Sequence, residues 1–313
     1  MKNRALLLVF APTLLFACND VSGTSAGEGS SSTTAGADEL DVRVEVPTPD
    51  DRYFDIVTPE VVIEPGEEKM YCLSTTYTGE DTALRNMESY QGKFGHHLVI
   101  LTSKEPQPDG TLEDCTTAQD MAKYKALVLP STPLPAGHGI MMKKGTPIVL
   151  QFHYVNAGAQ PIRIRDVARL DRLPLADVTT WVATATTSHL GMAVPAGEET
   201  VLSFDCVAPE DFGLMIVGGH MHEQGSRFEF QLGQDEASLE SVYLVDPWRT
   251  EYRDAPPVTE RIDDPIPVKA GDIFRTTCTW KSTADHMIGF PEEMCSTFGY
   301  VAGTQNPWDC RVE

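Results

Sequence analysis

Gly218-Gly219-His220-Met221-His222-Glu223-Gln224-Gly225 sits between an apolar run, Phe212 to Val217, and a run in which Phe228, Phe230 and Leu232 alternate with polar residues. The segment reads as a strand, a glycine-framed kink and a second strand. Side chains two apart on a strand point to the same face. His220 and His222 therefore offer two imidazoles to one metal ion.

The same period-two pattern runs along the chain. Val42 to Val46 alternates with charged residues, and Thr146 to Asn156 is a strand on which His153 shares a face with Val149, Gln151 and Val155. Val61 to Glu67 runs into a turn before Lys69 to Tyr77, which carries Cys72. Pro195-Ala196-Gly197-Glu198 before Val201 to Val207 with Cys206, and Lys269-Ala270-Gly271-Asp272 before Ile273 to Trp280 with Cys278, repeat that design. The recurrence fits two related β domains, and common hairpin chemistry also produces it. Met121 to Leu129 reads as a short helix or a strand. No stretch alternates strand and helix as a parallel sheet requires. The expected fold class is all-β, two antiparallel sandwiches in tandem over 41–173 and 174–313, with the boundary at the charged, Pro174-bearing segment Leu170 to Asp177.

Residues 1–18 read as an export signal: Lys2 and Arg4, then the apolar run Ala5 to Ala17, too short for a permanent span. Leu15-Phe16-Ala17-Cys18 resembles a bacterial lipoprotein cleavage box with Cys18 as the lipidated residue. Residues 19–40, rich in Ser, Thr, Gly and Ala, read as a flexible tether. The expected location is the cell envelope, lipid-anchored at the periplasmic or outer surface, or the exterior as a secreted chain. A net charge of −22 argues against nucleic acid and anionic membranes as partners, so the membrane enters only through the anchor. Six cysteines remain after Cys18, an even count that favours disulfides, and fifteen pairings are open.

Three further stretches carry chemistry. His96-His97 precede the strand Leu98 to Leu101. Neighbours on a regular strand face opposite ways, so both reach one ion only where the strand bends, and Gly95 makes a bend cheap. His153 alone is an ordinary core or surface histidine. Met294, in Pro291-Glu292-Glu293-Met294-Cys295, offers a thioether that suits copper(I), although a lone methionine is usually packing.

In register, His96-His97, Leu150-Gln151-Phe152-His153-Tyr154, His220-Met221-His222 and Glu293-Met294-Cys295 resemble the copper type II, ascorbate-dependent monooxygenases, the family of peptidylglycine α-hydroxylating monooxygenase and dopamine β-monooxygenase. The resemblance runs from about residue 41 to the end of the chain. It implies two antiparallel jelly-roll sandwiches and two copper ions. His96, His97 and His153 would hold an electron-storing copper, and His220, His222 and Met294 an oxygen-binding one. It implies a role for Gln151 in electron transfer and the pairings Cys72–Cys115, Cys206–Cys310 and Cys278–Cys295. It also implies hydroxylation of a C–H bond of a small organic substrate, with O2 and ascorbate or another one-electron reductant, by a monomer. His138, His189 and His286 match no ligand motif and read as structural or surface residues.

The chain departs from that family where the peptidylglycine enzyme grips a carboxylate. An arginine, an asparagine and a tyrosine there are Gly218, Ser296 and Phe298 here. Peptides ending in glycine are therefore not the expected substrate. Two other functions fit parts of the pattern: a copper-binding surface lipoprotein without turnover, and a β-sandwich that binds glycans or proteins.

Overall fold

In a computed structural model the chain is described over residues 39–103, 105–115, 123–127, 133–253, 255–290 and 292–312. The export signal, Cys18 and nearly all of the tether lie outside the described residues. Leu40, counted with the tether, already pairs with Ile162.

The described chain is all β, with no α-helix and only short 3-10 turns among its described residues, and none of its helices is long and apolar enough to cross a membrane. One sheet orders Leu112–Asp114, Glu68–Thr76, Pro147–Val155, Gly95–Ser103 and Tyr124–Ala126. A second orders Glu199–Val207, Ile273–Lys281, Gly225–Gly233 and Glu240–Val245. A long sheet backs both. It runs Val258–Glu260, Phe212–His220, Ser296–Ala302, Thr180–His189, His138–Met142, Thr82–Tyr90, Val167–Leu173 and Tyr53–Val57, with Ile266–Val268 and Trp308–Val312 attached.

Two apolar cores fill the layers. Leu73, Ile100, Leu150 and Phe152 of the first sheet pack with Leu84, Ile140 and Leu170 of the long sheet. Phe228, Phe230, Phe274 and Trp280 of the second pack with Ala185, Leu214, Val217 and Val301. Fully burying such a side chain contributes about 1.5–3 kcal/mol. The long sheet continues from one core to the other because His138–Met142 lies parallel to the start of Thr180–His189, Thr180 opposite His138. That pairing, Leu40–Asp41 on Ile162–Ile164 and Trp308–Val312 on Thr180–His189 are parallel exceptions in an otherwise antiparallel molecule. Pairing between segments 42 residues apart in one case and more than 120 apart in the other two decides them, and local patterning carries no trace of it.

The recurring turn is present three times. Gly66, Gly197 and Gly271 have φ of 77°, 67° and 98°, each just before a strand. All three expected disulfides form: Cys72–Cys115, Cys206–Cys310 and Cys278–Cys295, with Cα separations of 5.9, 6.2 and 6.0 Å. Such a framework belongs to an exported protein in an oxidising compartment. Two local expectations shift. Val42 to Val46 is not a ladder strand; only Val42 and Val44 donate to the carbonyls of Arg163 and Arg165. Of Met121 to Leu129, Tyr124–Ala126 is an edge strand, and residues 121, 122, 128 and 129 lie outside the described residues.

Candidate metal centres

The first cluster grows from a bulge. Gly95–Ser103 pairs antiparallel with Pro147–Val155, and the register slips so that His97 faces His153 while Gly95 faces Tyr154. His96 is the extra residue. An inserted residue breaks strict alternation, so two consecutive side chains turn to one side. The chain enters the bulge through Phe94, whose φ of 72° is rare for a residue with a side chain.

The three rings then close up. The Nδ1 atoms of His96 and His97 are 3.1 Å apart, and those of His96 and His153 are 3.2 Å apart. Outer partners orient two of the rings. His97 Nε2–H donates to Gln151 Oε1 at 3.2 Å, and His153 Nε2–H donates to Glu68 Oε1 at 2.9 Å. A neutral imidazole carries one N–H, so both Nδ1 lone pairs remain for the convergence point. Burial, and then the neighbouring His96, pushes the His153 pKa down, which favours the neutral ligand form.

The donor set fits a metal. With metal–nitrogen bonds of about 2.0–2.1 Å, the two N···N edges that meet at His96, 3.1 and 3.2 Å, correspond to ligand–metal–ligand angles of about 100°, and all three ligand nitrogens lie within 4.8 Å of one another. Outer-shell hydrogen bonding of this kind is what fixes metal-binding imidazoles in other proteins.

The second cluster sits at the end of Phe212–His220. Gly218 and Gly219 lie where aromatic rings cover the backbone. A Cβ on Gly218 would come within 2.4 Å of the Phe298 ring, and one on Gly219 within 2.4 Å of the Phe228 ring. Beyond them, Met221 is fully buried while His220 and His222 on either side are half-buried, the alternation expected of the motif. The Nε2 atoms of His220 and His222 meet at 3.1 Å, with their rings near perpendicular at 85°. His222 Nδ1–H donates to the Glu292 carbonyl at 3.0 Å, so its Nε2 carries the lone pair. The same edge argument applies: two nitrogens 3.1 Å apart fit one ion.

Glu293 organises this end of the molecule. Its carboxylate is 1% exposed and accepts four N–H groups: His222 at 2.9 Å, Gln224 at 2.7 Å, Met294 at 3.2 Å and the Trp280 indole at 3.1 Å. The backbones of His222 and Met294 thus share one carboxylate oxygen. Ser296, two residues on, pairs with His220, and the Cys278–Cys295 bridge pins the residue between. Trp248 closes the turn from the other side by donating its indole N–H to the His222 carbonyl at 3.2 Å.

Arg253 pairs with Glu223, the residue after His222. Of the residues singled out in the sequence, the structure joins His96, His97, His153 and Gln151 in one group and His220 with His222 in another. Met294 is tied in through its backbone. His138, His189 and His286 stand outside both: His138 meets the Ala136 carbonyl, His189 meets the Phe204 ring edge to face, and His286 lies between Asp285 and Glu292.

Sequence reasoning missed Glu68, Glu293, Trp280 and the Glu223–Arg253 pair. Glu293 was visible beside Met294, but nothing in Glu292-Glu293 tells the buried carboxylate from the exposed one. Glu68 had no signal, because its contact crosses from one strand to another.

No family model matches the chain, and no curated protein matches it. Solved structures overlap it weakly. The VP2 subviral particle of infectious bursal disease virus shares 7% identity, with 83% of this chain and 74% of that chain covered and a TM-score of 0.21. The Gx strain of the same virus shares 9% identity, with 83% and 76% covered and a TM-score of 0.22. At such scores neither bears on the chemistry of this chain.

Proposed function

We propose that the protein is a dicopper monooxygenase that hydroxylates a C–H bond of a small organic substrate. One atom of O2 enters the substrate and the other leaves as water, with two electrons and two protons consumed. The observation that carries this reading is a pair of imidazole clusters, each with ring nitrogens meeting at metal-ligand spacing and with an outer hydrogen bond that holds the tautomer of His153 in one and of His222 in the other. His96, His97 and His153 would hold one copper; His220, His222 and the Met294 thioether would hold the other. Copper at two such sites supplies one electron from each and the activation of dioxygen that the reaction needs.

The chain's own residues supply position and access. Gln151 and Glu68 orient the first set of rings, and Gln151 acts here as a hydrogen-bond acceptor from His97. Glu293 and the Glu292 carbonyl orient the second set. Three protein ligands at the second site leave room for dioxygen, as catalytic metal sites require. The Phe298 ring packed against Gly218 occupies the space that a carboxylate-gripping arginine would need. On that ground peptides ending in glycine are not the proposed substrate. The anchor on Cys18 would hold the enzyme at the cell envelope.

Oxygen uptake by the copper-loaded protein, with ascorbate and a panel of small aromatic and aliphatic compounds, tests the reading. Substrate-dependent uptake that yields a hydroxylated product supports it. Two coppers bound with no uptake across the panel would make the chain a copper-holding lipoprotein instead. No copper bound would leave the sandwich as a binding module.

A further inference from the structure

The two clusters differ in what stands behind their rings. His153 Nε2–H points at a carboxylate, Glu68 Oε1, at 2.9 Å. His222 Nδ1–H points at a neutral peptide carbonyl, Glu292 O, at 3.0 Å. Glu68 is placed for this contact by the turn before it. Gly66 takes a left-handed φ of 77°, Glu67 N–H bonds back to Glu64 O, and Asn156 bonds both Gly66 and Glu67. That fixes Glu68 opposite Val155, diagonal to His153 across the strand pair.

We propose that Glu68 is a positioning residue that sets the direction of electron flow between the two centres. The inference rests on the dicopper reading above. A carboxylate on the outer N–H of an imidazole makes the inner nitrogen a stronger donor. Stronger donation stabilises copper(II) over copper(I). The thioether proposed for the second site does the opposite. With copper held by both sets of ligands, Glu68 would bias one electron away from the first site and toward the second, and ascorbate or an equivalent one-electron reductant would supply its replacement. Because the Glu68 side chain is 62% exposed, solvent screens its charge and the bias is moderate.

The test is an electron-paramagnetic-resonance redox titration of the full chain loaded with copper, in wild type, Glu68→Gln and Glu68→Asp, with copper content measured for each. The amide keeps an acceptor for His153 Nε2–H and removes the charge. Glu68→Gln is expected to keep two coppers and make the first easier to reduce by up to tenfold in the equilibrium constant, about 59 mV for one electron. The second copper should not move and serves as the internal reference, and Glu68→Asp should return toward wild type. An unchanged first-centre potential with both coppers bound overturns the proposal while leaving the dicopper reading intact. Equal shifts at both centres overturn it as well, and so does loss of the first copper from Glu68→Gln, which would make Glu68 a structural support. Wild-type protein that fails to bind copper overturns the proposal and the reading beneath it together.

Discussion

Glu293 concentrates the largest local cost in the smallest group. Its buried carboxylate accepts four N–H donors from two different stretches of chain and an indole. Replacing one oxygen by an amide leaves buried donors facing a donor, which costs about 1–3 kcal/mol per orphaned group, and more where a charge was involved. Glu293→Gln should lower the unfolding free energy by about 3 kcal/mol in denaturant titration. It should also weaken copper at the second centre by about 10–100-fold, the usual price of losing an outer-shell partner, and leave the first centre alone. Gly218 offers a steric counterpart. A Cβ there meets the Phe298 ring at 2.4 Å, so Gly218→Ala should cost about 1–3 kcal/mol by overpacking. The same change in a Phe298→Ala background should cost much less, and an additive double-mutant cycle would show that the ring is not the obstacle.

Asp166 gives the pH dependence at this scale. Burial pushes its pKa from 3.8 up to about 6, against the Tyr154 hydroxyl that donates to it at 2.5 Å and would lower it. The folded state therefore holds a proton that the unfolded state releases. The contribution is fully present below about pH 4 and is lost as pH rises through 6. The difference of about two pKa units is worth ~3 kcal/mol. Stability of the wild type should carry a falling component across that window, and Asp166→Asn should flatten it. A profile unchanged by the substitution would contradict the assignment.

At the scale of elements, the bulge and the bridges do the positioning. His96 and His97 share a site because one residue is inserted opposite His153. Gly95 before the histidine pair made a bend cheap, but one buried and one exposed histidine fitted the pair equally, and only the family resemblance put both rings on one site. The His220-Met221-His222 alternation was plain, because it is the ordinary period of a strand. The Met294 thioether as a ligand rests on the resemblance alone; what the structure adds is that its backbone is held by Glu293 and by the neighbouring bond from Cys295 to Cys278. The disulfides likewise needed the resemblance, because even cysteine counts do not choose partners. Replacing both Cys278 and Cys295 by alanine opens a 17-residue loop, at a cost of about 3 kcal/mol in chain entropy. The expected signature is selective: copper at the second centre is lost to a chelator faster, while the first centre keeps its wild-type rate.

For the whole molecule, alternating hydrophobicity announced strands, and the two apolar cores follow from it. The continuous sheet behind both cores did not show in the sequence. It depends on Thr180–His189 lying beside His138–Met142, and such a crossover leaves no local mark. The sheet matters for function because it fixes one half of the chain against the other.

The most direct test of the central claim is copper stoichiometry of the purified full chain, by metal analysis with paramagnetic resonance, in wild type, His153→Ala and His220→Ala. The account predicts two coppers in the wild type and one in each variant, with different spectra because each variant empties a different cluster. Fewer than two in the wild type, or loss of the same copper from both variants, would contradict it.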